Sequence, residues 1–187
     1  MTAFPLAPPA PLAVSLVAPS ALADLVFALE RGPDAAAADA LIDRAFGPGR
    51  FAKTAERLRE GNHLRADLSV CAWDGEVMAG VVRQWSVLAG ETPAVFLGPI
   101  AVDKAWRSRR LGRALIERAV ALSDAAGERL TVLVGDQSYF GPLGFQPVPR
   151  GRITLPGPVD PRRILWRGRE AADLDAAGGL LRVPSGR

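Results

Sequence analysis

The sequence predicts an α/β domain built on a mixed central sheet, and three observations predict it. Short β-rich apolar runs alternate with helical patterns in the order β-α-α-β-β-β-α-β-α-β. Asp74-Gly75 sits between two apolar runs, which is the strongest short hairpin signal. The apolar run Val95 to Val102 leads through an arginine-rich loop into a long amphipathic helix, with Gly112 at the junction. A chain of 187 residues that is 49% hydrophobic suits one domain with a sizeable core.

The elements follow in order. Residues 1–22 are Ala/Pro-rich without a charged side chain and read as a flexible tail. Leu25 to Leu29 reads as a first strand. Gly32-Pro33-Asp34 forms a turn, with Asp34 a candidate N-cap for a helix over 35–46. Gly47-Pro48-Gly49 stops that helix, and a second is expected from Lys53 to Glu60. Leu68–Trp73 and Val77–Trp85 form the hairpin, apolar on both faces as central strands are. The fourth strand is Val95–Val102, and the helix after the arginine loop runs to about Ala126. Its Leu111, Leu115, Ala119 and Leu122 make an apolar stripe for the sheet. Leu130–Val134 reads as a fifth strand, a short helix as 138–142 and a last strand as Arg163–Trp166. The domain is bounded at 23–170, and the Ala/Gly-rich residues 171–187 are expected to be loosely held.

Composition narrows the function. The net charge of +3 is mild and comes from scattered arginines, with Lys53 and Lys104 as the lysines, so no nucleic-acid partner is expected. No apolar run reaches transmembrane length, so no membrane partner is expected either. Cys71 allows no intrachain disulfide, which fits a reducing cytoplasm. With His63 as its one histidine, the chain lacks the usual metal clusters, and no metal is expected. Cys71 reads as a buried inert thiol, and His63 as a loop residue. Arg50, Arg57 and Arg59 read first as a solvated face. Trp85 is a candidate wall of an acceptor pocket.

The chemistry lies in Leu97 to Leu115, LGPIAVDKAWRSRRLGRAL. A helix start offers free N–H groups and a partial positive charge to phosphate oxygens. Arg107, Arg109, Arg110 and Arg113 add fork-shaped donors beside it. The stretch Arg107-Ser108-Arg109-Arg110-Leu111-Gly112 resembles the acyl-CoA-binding motif Gln/Arg-x-x-Gly-x-Gly/Ala of the GNAT superfamily of N-acetyltransferases. Gly112 matches its second glycine, and Arg110 replaces the first. Gly135-Asp136-Gln137-Ser138-Tyr139-Phe140-Gly141-Pro142-Leu143-Gly144-Phe145 resembles the Gly-Asp-x-x-Tyr-Tyr-x-x-Phe-Gly-Phe signature of a bacterial subgroup. Leu97 to Val102 is similar to that subgroup's fourth strand.

The resemblance implies a GNAT-like, largely antiparallel sheet flanked by helices, with splayed fourth and fifth strands. It implies acetyl-CoA as cofactor and a primary amine, on a small molecule or a peptide, as acceptor, with direct attack in a ternary complex, and it places the region of Arg50, Arg57 and Arg59 at the edge of the acceptor pocket. Backbone contacts to the pantetheine arm fall on Ile100, Ala101 and Val102, and the diphosphate on Arg107, Ser108, Arg109, Arg110, Leu111, Gly112 and Arg113. Phe140 stands at the position of the family's general acid and joins the cofactor-binding set; Tyr139, one place earlier, is the candidate acid. No acid lies within residues 94–102, so the general base is open. Arg110 and Phe140 also fit a second reading, an acyl-CoA-binding or sensing protein with little turnover. Homodimerisation is compatible with the chain.

Overall fold

The computed structural model describes residues 22–185. The expected tail lies outside them except for Leu22, which is fully buried in the main core. Thirteen elements follow: β1 Val26–Leu29, α1 Ala35–Phe46, β2 Val70–Asp74, β3 Val77–Ala89, β4 Thr92–Val102, α2 Leu111–Ala125, β5 Leu130–Val134, α3 Gln137–Phe140, β6 Gln146–Pro147, β7 Ile153–Thr154, β8 Ile164–Gly168, α4 Ala172–Asp175 and β9 Gly179–Arg182. Their order across the sheet is β1-β2-β3-β4-β5-β8-β6, with β9 pairing β3 and β7. Neighbours run antiparallel except β4 with β5 and β7 with β9, so the mixed, largely antiparallel α/β sheet is the observed fold.

Strand alternation divides the core. Val70 and Ala72 point to the face covered by α2, where Leu111, Leu115, Ile116 and Ala119 pack. Cys71 between them points to the face covered by α1, with Leu41, Ile42, Val81 and Ala101. This two-sided burial is why both hairpin strands read as continuous apolar runs. Gly80 lets α2 approach β3: a Cβ there would lie 2.8 Å from the Leu115 side chain.

Buried polar groups are tied off. Arg83 on β3 is 8% exposed and grips Glu30 at 2.6 Å, with Asp39 also at 2.6 Å. Gln84 donates to the carbonyls of Leu68 and Ala119 and accepts from Ser123. Asp34 makes no side-chain N-cap bond; its carboxylate instead accepts from the Arg31 backbone N–H and guanidinium.

Two regions depart from expectation. The helix expected at 53–60 is a pair of 3₁₀ turns, Pro48–Ala52 and Thr54–Leu58. Tertiary bonds override the local pattern: the Thr54 hydroxyl donates to the Pro158 carbonyl and Arg57 to that of Pro156. Residues past 170, expected to be loosely held, carry α4 and β9, and bury Leu174, Ala177 and Leu181. The cause is the length of β3. It outruns β2, whose register ends at Val70↔Val82, and β9 pairs its distal residues Leu88 and Ala89. Gly90 permits this closure, since a Cβ there would lie 2.1 Å from the Gly178 carbonyl oxygen.

Candidate active site

β4 and β5 pair only at Val95↔Thr131 and Phe96↔Val132. Beyond Phe96 the two strands part, while β4 stays paired to β3 as far as Gly80↔Val102. Ile100, Ala101 and Val102 therefore keep one edge in the sheet and turn the other toward a cleft of about 790 Å³. Strand edges carry N–H and C=O groups that need partners. The parting coincides with a bulge. Gln84 pairs Leu97 and Val82 pairs Ile100, so Gly98 and Pro99 together face Arg83. Gly98 has φ +127°, a region only glycine adopts without strain, and the Gly98–Pro99 bond is cis. Trp85 Nε1 donates to the Gly98 carbonyl at 2.8 Å, fixing the bulge.

At the far end of β4 comes the arginine loop. Asp103 caps a turn over Lys104–Trp106 by accepting from the Ala105 N–H at 3.0 Å. Ser108 and Arg110 both have left-handed backbone, at φ +62° and +63°. Arg110 is the N-cap of α2, so the position where the family motif has glycine does demand that conformation. Arg107 and Gly112 line the cleft. The Leu111 side chain is buried in the core, which leaves its backbone for a ligand. Arg109 stacks over Trp106 at 4.9 Å, and Arg113 pairs with Glu117 at 2.7 Å. Ser108, Arg109 and Arg110 are exposed on the loop beside the cleft.

α3 closes the third side. Phe140 is 8% exposed and its ring lies on Gly135, where a Cβ would be only 2.2 Å from a ring carbon. Phe140 also meets Phe145 edge-on at 5.9 Å. Tyr139 is 49% exposed and turns into the cleft. Its hydroxyl is 2.8 Å from where a Cβ on Gly112 would stand. Burial raises the Tyr139 hydroxyl above its ordinary range, against an opposing pull from Arg113.

The structure thus brings Ile100, Ala101, Val102, Arg107, Gly112, Tyr139 and Phe140 to one cleft, from three separate elements and a loop. At the other end the residue pattern alone misled, while the resemblance pointed the right way. Arg50 and Arg59 are not a solvated face; both line the cleft and share Glu56, at 3.3 and 2.9 Å. The signal available was the three-residue spacing of Glu56 and Arg59. Asp136 is exposed and pairs with Arg163 at 3.2 Å. Cys71 is buried and outside the cleft, with its thiol pushed above its ordinary range by burial. His63 is exposed. No group of three or more His, Cys, Asp or Glu side chains among the described residues could hold a metal. No described helix is long and apolar enough to cross a membrane.

Residues 36–138, from α1 through the splayed strands to the start of α3, match the model of the acetyltransferase (GNAT) family. The chain belongs to the GNAT family. Among curated proteins it is 30% identical over 140 residues to the uncharacterized N-acetyltransferase YhbS of Escherichia coli K12, covering 74% of this chain and 78% of that one. The crystal structure of Escherichia coli YhbS in complex with CoA superposes at TM-score 0.73 with 24% identity, over 86% of this chain and 89% of that one. A GNAT acetyltransferase from Brucella melitensis in complex with acetyl-CoA gives TM-score 0.57 at 25% identity, over 79% and 97% of the two chains. This GNAT protein keeps the family's parted strands while carrying arginine at the first glycine of the loop and phenylalanine where the subgroup has its second tyrosine.

Proposed function

We propose that this chain is an N-acetyltransferase that moves the acetyl group of acetyl-CoA to a primary amine by direct attack in a ternary complex. The observation that carries the reading is the unpaired β4 edge beyond Phe96, opening onto the same cleft as Gly112 and Tyr139. The residues fit the coenzyme. Gly112 leaves room that a Cβ would fill, and the first-turn N–H groups of α2 have no intrahelical acceptor. Ile100, Ala101 and Val102 would hold the pantetheine arm by backbone bonds. The loop Arg107 to Arg113 would hold the diphosphate, with Arg107 nearest the cleft. When bound, the coenzyme supplies an activated thioester and a thiol leaving group.

The chain's own residues then do three things. A β4 N–H donates to the acetyl carbonyl oxygen and stabilises the negative charge that develops there, a contribution of roughly 3–4 kcal/mol for one such donor. The walls Phe96, Leu97 and Val134 shield the reacting atoms from water. Tyr139, held protonated by burial, donates a proton to the departing sulfur. Its hydroxyl beside Gly112 favours a second role for the same side chain, a contact to the diphosphate arm. No carboxylate lies on residues 94–102, so a water held by backbone carbonyls would take the amine proton and release it to solvent.

Calorimetry with acetyl-CoA and free CoA, followed by a thiol-release assay over a panel of amines, tests the proposal. Micromolar binding and amine-dependent thiol release are expected. Binding without release for any amine would leave a CoA-binding protein, and absence of binding would remove the proposal. Tyr139→Phe separates the two roles: loss of kcat with an altered alkaline limb marks the proton donor, and weaker coenzyme binding with unchanged kcat marks the contact.

A further inference from the structure

Two guanidinium groups, Arg50 and Arg59, line the end of the cleft away from the arginine loop, with Arg83 buried near them, and the three are not equivalent. Arg50 is taken on both sides, by Asp43 at 2.8 Å and Glu56 at 3.3 Å. Arg83, just behind, is taken by Glu30 and Asp39. Arg59 gives only Nη1, to Glu56 at 2.9 Å. Its Nε is buried with no hydrogen-bond partner among the described residues. Its Nη2 lies 3.4 Å from where a Cβ on Gly98 would stand. Nε and Nη2 form the side-on edge of a guanidinium, two parallel donors spaced for the two oxygens of a carboxylate.

The surroundings favour an anion there. The Arg59 side chain is 14% exposed, so an unmatched donor edge is costly. Burial is the main pressure against its charged form; Glu56 opposes it, and Arg50 and Arg83 add to it as like charges. The Phe96 ring lies 5.7 Å from its guanidinium carbon, and Ala52 and Ala55 also line the cleft. Such apolar walls strengthen a charge-assisted bond by excluding water.

Position decides what the anion belongs to. Gly98 is where β4 has just left β5, upstream of the Ile100–Val102 edge assigned to the coenzyme. A group on Arg59 therefore sits on the opposite side of the reacting carbon from the diphosphate, where the acceptor enters. We infer that Arg59 is the specificity-determining residue for the acceptor, and that the acceptor is an amine carrying a carboxylate, of the amino-acid class, anchored on the Nε–Nη2 edge. This inference rests on the acetyl-transfer reading above. A peptide N-terminus, whose nearest carboxyl is an amide, lacks the matching group.

The test pairs each of several amino acids with its own carboxamide, and adds phosphoethanolamine as a phosphate-bearing amine. Acetyl-CoA binding is measured first, on wild type, Arg59→Gln and Arg59→Lys. Wild type is expected to prefer the best acid over its amide by about 10- to 100-fold in kcat/KM, mostly through KM. Arg59→Gln is expected to lose that factor for the acid and to change the amide less than about threefold. Arg59→Lys keeps the charge without the fork and is expected to fall between. Acetyl-CoA affinity should be held by both variants; Arg59→Gln is expected to lower the melting temperature by leaving Glu56 one partner short, and Arg59→Lys, which keeps a cation for Glu56, guards against a folding defect. With acetyl-CoA bound, equal use of acid and amide, better use of phosphoethanolamine, equal losses for acid and amide, or no turnover of any carboxylate-bearing amine overturns the anchor alone. Absence of acetyl-CoA binding overturns the transfer reading, and the anchor with it.

Discussion

Arg110 offers a clean test of whether the coenzyme loop stores backbone strain. Its φ of +63° and ψ of 16° lie in the left-handed region, where a side chain costs about 1–2 kcal/mol. Glycine escapes that cost but gives up about 0.5–1 kcal/mol of unfolded-state entropy. The difference leaves Arg110→Gly about 0.5–1 kcal/mol more stable than Arg110→Ala, which removes the same guanidinium and keeps the strain. Because Arg110 is exposed, loss of its side chain contributes little else to stability. For a chain of this size the gap amounts to about 1–4 °C in melting temperature. Thermal and urea unfolding without coenzyme measure it. If the alanine variant is as stable as the glycine variant, the strain argument is wrong. If the loop holds the diphosphate as proposed, both variants should bind acetyl-CoA about two- to fivefold more weakly, and with a shallower salt dependence, having lost one phosphate donor.

The other predictions concern the frame. Gly135→Ala should cost about 2 kcal/mol, since its Cβ would strike the packed Phe140 ring; a urea midpoint within error of wild type contradicts this. Cys71 should resist iodoacetamide in the native protein and react promptly in urea. Its folded thiol is raised above the usual range, so this group's stabilising contribution is full below about pH 8.5 and declines as pH rises; equal alkylation of folded and unfolded chain rejects the assignment. Asp173 is held below the usual carboxylate range first by the Glu170 N–H and then by Arg129. Its contribution is present above about pH 4 and is lost as pH falls through the lower folded value. Asp173→Asn should therefore cost about 1 kcal/mol near neutral pH, with faster hydrogen exchange in β9; unchanged exchange there would show that α4 does not hold the strand.

What the sequence disclosed and what it hid divide along a physical line. The hairpin at Asp74-Gly75, the stripe of α2 and the β4–loop–helix passage are local patterns, and each appears near its expected place. The positive φ at Arg110 was not foreseen, although it falls where the motif has its first glycine. The pairing of Glu30 with Arg83 spans 53 residues, and no local pattern reports it. β9 stayed hidden because Gly178-Gly179 and the preceding Ala176 and Ala177 carry no strand propensity; what recruits it is the distal edge of β3. The helix expected at 53–60 failed because Thr54 and Arg57 bond to residues about 100 positions away.

The exchange of a tyrosine for Phe140 has its own structural logic. The ring at 140 lies against Gly135 and Phe145 and forms part of the core that seats α3 on the end of β5. Tyr139 lies edge-on to that ring at 4.9 Å and carries the one hydroxyl that α3's aromatic pair brings to the cleft. On the proposed reading, the polar role falls to this neighbour, whose side chain reaches Gly112. A helix of four residues has little stability of its own, so its orientation depends on how firmly Phe140 is packed. Loosening that packing, as at Gly135, should displace the Tyr139 hydroxyl and the coenzyme contact together, which couples the fold at the end of β5 to the chemistry between β4 and β5.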